Sequence, residues 1–158
     1  MLIYLIGFMG SGKTSAAKRL ANKLGYDFYD MDEMLEKEYR ISIYDLFQKY
    51  DENLFRKLEK GILEKTFIMK NAVISTGGGT PCFEDNMKKI NEHGISVYLQ
   101  MSPKMLHARL KDSPRPRPLL QKVPEENRLK YIEELLQERK NLLIQATLAI
   151  EAKTIDIK

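Results

Sequence analysis

The hydrophobic positions fall into two alternating kinds of segment. Short unbroken apolar runs, "LIYLI" at 2–6, "AVIST" at 72–76 and "ISVYLQM" at 95–101, read as strands buried on both faces of a parallel sheet. "YDFYD" at 26–30 and "LAIEA" at 148–152 read as two more strands. Between them the apolar period changes to that of a helix. Ala16, Ala17, Leu20, Ala21 and Leu24 share one face of a helix over 13–24 that Gly25 stops. Further helices are predicted near 32–39, after the N-cap Ser42, over 52–69, over 83–94, after the Ser102–Pro103 cap pair, and over 125–146. Strands alternating with helices predict an open α/β sheet with ligands at the carboxyl ends of its strands. Residues 112–124 carry prolines and bases without periodicity, a long loop of the kind that serves as a functional lid.

Composition narrows this picture only slightly. A chain of 158 residues, 43% hydrophobic and 30% charged, is expected to form one domain with a real core, 1–158. No run approaches a membrane span, and "MLIYLIGFMG" lacks the basic flank of a signal segment, so a cytoplasmic protein without membrane contact is expected. The lone Cys82 excludes an internal disulfide and fits a reducing compartment. The net charge of +4 is spread among acids on helical faces, and no aromatic interleaving suggests a nucleic-acid platform. "RPRP" at 115–118 is the exception: arginines between prolines, in a segment expected to be non-helical, suit a local anionic ligand.

The chemistry concentrates in a few stretches. "GFMGSGKT" at 7–14 fits G-x-x-x-x-G-K-[ST] and lies between a buried strand and a helix. Backbone N–H groups around Gly7, Gly10, Ser11 and Gly12 would wrap a polyphosphate, Lys13 would reach its β and γ groups, and Thr14 would ligate Mg²⁺. The chain has neither the N-K-x-D nor the D-x-x-G element of a GTPase, which leaves a short kinase as the best fit. Asp30 and Asp32 end the second strand two residues apart, placed for a metal and an acceptor hydroxyl; alternatively Asp32 only caps the next helix. Arg56 and Glu59 are three apart on a helix, giving either a fixed guanidinium for a substrate carboxylate or a plain exposed ion pair. In "STGGGTP" at 75–81, Gly77, Gly78 and Gly79 at the end of a central strand suggest a backbone surface kept clear for a ligand rather than a flexible turn.

Taken in order, "GFMGSGKT", "FYDMDEM", "FRKLE", "STGGGTP", "RPRPLL" and "ERKNLL" resemble the shikimate kinase family over residues 1 to about 145. The resemblance implies a three-layer α/β/α P-loop kinase with a five-stranded parallel sheet in the order 2-3-1-4-5. It also implies a substrate-binding helical region at about 32–60 and a mobile lid at about 110–124. The implied reaction moves the γ-phosphate of ATP to the 3-hydroxyl of shikimate with Mg²⁺, in chorismate and aromatic amino acid biosynthesis. By motif matching, Gly10, Ser11, Gly12, Lys13, Thr14 and Ser15 would hold ATP, with Thr14 and Asp30 at the metal. Asp32 would bind the acceptor hydroxyls, Arg56 and Arg139 would grip the carboxylate with Glu59 steadying Arg56, and Phe47 and Phe55 would line the pocket. Arg117 would bridge the transferring phosphate and Arg109 would lie over adenine. Two positions depart from the family pattern: Asp51 stands where Gly is frequent, and Leu143 where Tyr is common.

Two other readings stay open at this point, a small kinase for gluconate or a nucleotide and a non-catalytic nucleotide-binding protein. A monomer suffices for the implied site. Cys82 is read as inert, His93 and His107 as surface residues, and Met101 and Met105 as core filler.

Overall fold

The computed structural model describes residues 1–114 and 117–151; Arg115 and Pro116 of the proline-rich stretch, and 152–158, lie outside the described residues. The strands are β1 (Leu2–Ile6), β2 (Asp27–Asp30), β3 (Ala72–Ser75), β4 (Ile95–Gln100) and β5 (Leu148–Glu151). They form one parallel sheet in the order β2-β3-β1-β4-β5, with Leu2 beside Ala72 and Ile3 beside Ile95.

Strand alternation sends the apolar side chains of β1 both ways. Leu2 and Tyr4 enter a core with Met31, Leu35, Phe55, Ile62 and Ile74. Ile3 and Leu5 enter another with Ala16, Ala17, Ala21, Val73 and Val97. Helices α1 (Lys13–Leu24), α2 (Met31–Tyr39), α3 (Ile43–Lys49), α4 (Glu52–Thr66) and α5 (Asn86–His93) carry the first part of the chain. After β4 come α6 (Pro103–Asp112), α7 (Pro118–Gln121) and α8 (Arg128–Leu143).

Local chemistry explains the helix starts. Ser42 and Ser102 cap α3 and α6 as expected, accepting from the Asp45 and Met105 amides. Asp51, unusual for the family at that place, caps α4 by accepting from Leu54 N at 2.9 Å. The end of β2 removes the alternative that Asp32 merely caps the next helix: the cap of α2 is Asp30, whose Oδ1 accepts from Asp32 N at 2.9 Å.

Residues 117–124, the described end of the proline-rich stretch, are more regular than a plain loop. Arg117 is extended, as a residue before proline should be, and Pro118 then opens the single helical turn α7. Leu120 anchors that turn in a core with Phe8, Met9, Leu106 and Ile132. Residues Glu125–Asn127, expected to start the last helix, form a 3₁₀ turn ahead of it. Leu143 is fully buried against Ile6, Met87 and Tyr98, a site filled by an apolar side chain without any need for a phenol.

Candidate active site

The loop between β1 and α1 curls around its own lysine. Gly10 and Gly12 adopt φ of 82° and 90°, left-handed values that favour glycine, and the second of them starts α1. Side chains at either place would also collide with their surroundings: a Cβ on Gly10 would lie 2.9 Å from Leu110, and one on Gly12 3.3 Å from Arg109 Nη2. Lys13 is buried and donates to the carbonyls of Gly7 at 2.8 Å and Phe8 at 3.0 Å. Burial pulls its pKa down to about 8, against the opposing pull of Asp32. Both hydrogen bonds go to carbonyl oxygens of its own loop, partners that a buried ammonium can exchange for a polyanion.

Beside it opens a cavity of about 220 Å³, lined by Gly10, Gly12, Lys13, Thr14, Ser15, Asp30, Asp32, Gly78, Arg109 and Arg117 among others. The structure therefore brings together nearly all the residues expected to hold a nucleotide. Ser11 is the exception: its side chain is buried against Gly7 and does not line the cavity. At the cavity floor Thr14 Oγ1 donates to Asp30 Oδ2 at 3.0 Å, with Ser75 Oγ 3.4 Å away. These are hard oxygen donors, and Mg²⁺ takes one or two such protein groups and completes its shell with phosphate and water. No group of three or more His, Cys, Asp or Glu side chains that could form an all-protein metal cage occurs among the described residues.

A second, smaller cavity of about 80 Å³ adjoins the first and shares Met9, Asp32, Gly78 and Arg117 with it. Phe47 and Phe55 form one wall, their rings 5.0 Å apart. The opposite wall is cationic. Arg56 gives Nε to Glu52 at 3.3 Å and Nη1 to Glu59 at 2.9 Å, and Glu59 is almost fully buried, its other oxygen accepting from Thr80 at 2.8 Å. The exposed ion pair allowed by the sequence is thereby replaced by a fixed, desolvated guanidinium. Arg139, brought from α8, is buried and donates to Gly78 O at 3.3 Å. Burial pulls its pKa below the usual guanidinium value, and Arg56 adds to that repulsion. An anion bound between the two would relieve both effects.

The three glycines explain how the cationic wall fits. None of Gly77, Gly78 or Gly79 has a left-handed φ, so they are needed for space rather than for conformation. A Cβ on Gly79 would lie 2.9 Å from Arg56 Nη2 and 3.0 Å from Arg139 Nη2. One on Gly77 would lie 2.8 Å from Glu59 Oε2 and 3.3 Å from Asp32 Oδ1, and one on Gly78 3.0 Å from Met9 N. The volume read as reserved for a ligand is thus taken up, at the Cβ positions, by the protein's own functional groups.

Several neighbours escaped the sequence reading. Glu52, four residues before Arg56, had a signal in its spacing. Thr80 and Phe83, which also meet the Glu59–Arg56 pair, had none. Cys82 has Arg139 and Arg56 within electrostatic reach, which sequence did not suggest, yet burial dominates and pushes its thiol up, in keeping with an inert residue. His93 is exposed and stacks on Phe67 at 3.9 Å, and His107 is half-buried on α6. Met105 is 37% exposed and not core filler, whereas Met101 is partly buried against two of the cores. No helix among the described residues is long and apolar enough to cross a membrane.

Comparison with known proteins agrees with this geometry. The family model described as shikimate kinase matches residues 9–157. A shikimate kinase of Bacteroides fragilis is 40% identical over 144 residues, covering 91% of this chain and 80% of its own length. The crystal structure of shikimate kinase from Bacteroides thetaiotaomicron superimposes with a TM-score of 0.92 at 35% identity, covering all of this chain and 90% of that one. Shikimate kinase from Acinetobacter baumannii in complex with shikimate gives 0.89 at 34% identity, covering 99% and 84%. A gluconokinase from Sinorhizobium meliloti, at 0.58 and 20% identity, shares the fold alone. With a family model spanning most of its length and relatives this similar, the chain belongs to the shikimate kinase family.

Proposed function

We propose that this chain transfers the γ-phosphoryl group of ATP to the 3-hydroxyl of shikimate. The observation that carries the reading is the wall shared by the two cavities: Asp32 and Arg117 stand where a phosphate-sized site and a site with two fixed arginines, Arg56 and Arg139, meet. Donor and acceptor bound on either side would face each other across these two residues, the arrangement that in-line transfer requires.

On the donor side the loop amides and Lys13 would hold the β and γ phosphates, while Arg109, over Gly12, would cover the nucleotide. When bound, Mg²⁺ supplies charge neutralisation at the phosphate oxygens; Thr14 and, through water, Asp30 are the residues that would hold it. On the acceptor side Arg56 and Arg139 would take the carboxylate and Asp32 would accept from the reacting hydroxyl, orienting it and drawing off its proton. The Phe47–Phe55 wall would pack the ring. Arg117 would follow the charge on the transferring group, and closure of the lid at about 110–124 would exclude water. The residues assigned to donor and acceptor all come from this chain, so a monomer suffices, and a lone cysteine, Cys82, suits a reducing, cytoplasmic setting.

Gluconate has a carboxylate but no rigid ring to fill the aromatic wall, and a nucleoside monophosphate would need a base pocket beyond this cavity of about 80 Å³. A coupled ADP-release assay with shikimate, gluconate and AMP tests the reading. ADP should form only with shikimate, and the product should carry its phosphate at the 3-position by NMR. ADP formation only with another acceptor, or with none, would refute it.

A further inference from the structure

The hold on Arg56 extends beyond its acidic neighbours. Glu52 and Glu59 take two edges of the guanidinium, and its flat face lies on the ring of Phe83, with Cζ 3.8 Å from the centroid. The other ring near it, Phe55, is at 5.0 Å. Phe83 comes from a separate segment, directly after the 3₁₀ turn Thr80–Cys82 that follows the glycines.

That segment is fastened to one face of α4. Thr80 Oγ1 donates to Glu59 at 2.8 Å, Lys60 pairs with Glu84, and Arg56 covers Phe83. Positions 56, 59 and 60 are spaced so that they share a helix face. From the other side Asn86 Nδ2 donates to Thr80 O at 2.8 Å. The ring is therefore held, and so is the plane above it.

Hydrogen bonds to carboxylates fix a guanidinium within its plane but leave the plane free to tilt, and arginine has much rotamer freedom to lose. A ring against one face removes the tilt. We propose that Phe83 is a positioning residue for the acceptor. It sets the plane of Arg56 so that the Nη2 edge, which lies over Gly79 beside Arg139, is presented to the acceptor carboxylate. This rests on the reading of Arg56 as a carboxylate holder.

Steady-state kinetics of Phe83→Leu, Phe83→Met and Phe83→Tyr in the full chain test it. Leu and Met keep apolar bulk but lose the ring; each should raise the shikimate KM about tenfold, with kcat and the ATP KM within about twofold of wild type. Tyr keeps the ring and should restore the shikimate KM to within about twofold. In an Arg56→Lys background, where there is no plane to set, Phe83→Leu should add less than about twofold. An unchanged shikimate KM in Phe83→Leu, equal damage from Tyr and Leu, a parallel rise in the ATP KM, or full additivity with Arg56→Lys would each overturn the proposal. Arg56→Ala separates it from its premise. If that variant leaves the shikimate KM unchanged, the carboxylate reading itself fails; if it raises the KM while Phe83→Leu does not, only the role of Phe83 fails.

Discussion

The two halves of the site use glycine for opposite reasons. In the donor half, residues 7–15 form one continuous loop and helix start, and Gly10 and Gly12 take left-handed backbone angles that present amides to a phosphate. In the acceptor half, α2, α3, α4 and α8 send in side chains from four places in the chain, and Gly77–Gly79 after β3 keep ordinary backbone angles. There the missing Cβ leaves room for Glu59, Asp32, Arg56, Arg139 and the Met9 backbone. A conformational requirement is written in one stretch of chain. A volume requirement depends on who the neighbours are, and those are settled by the fold.

The sharpest way to break this division is at the residue that serves both halves. Arg117→Ala should lower kcat by about three orders of magnitude while the KM for each substrate changes little, because in the proposed reaction its charge would meet the transferring group. Steady-state kinetics with each substrate varied in turn would check this, and unchanged turnover would remove Arg117 from the reaction. Next in size, Arg56→Ala should raise the shikimate KM about a hundredfold with the ATP KM nearly unchanged, since a charge-assisted contact to the acceptor is lost.

A smaller effect sharpens the donor side through pH. Lys13 must be protonated to attract phosphate, and in the free protein burial pulls its pKa down to about 8. As pH rises through that value the free protein loses the charge, so kcat/KM for ATP should fall about tenfold between pH 7 and pH 9. Bound phosphates favour the ammonium and move its pKa back up, so kcat at saturating ATP should hold to higher pH. The sign for folding is the reverse: the protonated lysine is a burial cost below about pH 8 that is relieved as pH rises from there towards its unfolded value, so stability increases over that window. A pH profile in which kcat and kcat/KM fall together would contradict this account of Lys13.

Much of this was legible in the sequence because period and punctuation are local. The strands themselves, the loop with Lys13 and Thr14, and the serine caps of α3 and α6 all follow from residues close together in the chain, whereas the order of the strands came from the family resemblance. Arg139 was found only through family resemblance, since nothing near it in sequence says that α8 will bring it to Gly78. Asp30 and Asp32 were both placed at the site, but which one caps α2 depends on a backbone angle that composition does not fix. The turn at Pro118–Gln121 left no trace in the sequence because a single helical turn is too short to show a period; it is held by Leu120 reaching a core built by distant residues. Phe83 and Thr80 carried no signal because their partners sit on α4, over twenty residues earlier.

The claim that the glycines separate donor from acceptor can be tested at neighbouring positions in one experiment. The nearest atoms to a methyl on Gly79 are the flexible ends of Arg56 and Arg139, whereas the nearest to one on Gly78 is the Met9 backbone of the phosphate loop. With both substrates varied, Gly79→Ala should raise the shikimate KM about tenfold or more and leave the ATP KM within about twofold, while Gly78→Ala should raise both. A Gly79→Ala variant with a normal shikimate KM, or one whose ATP KM rises in step, would contradict the account.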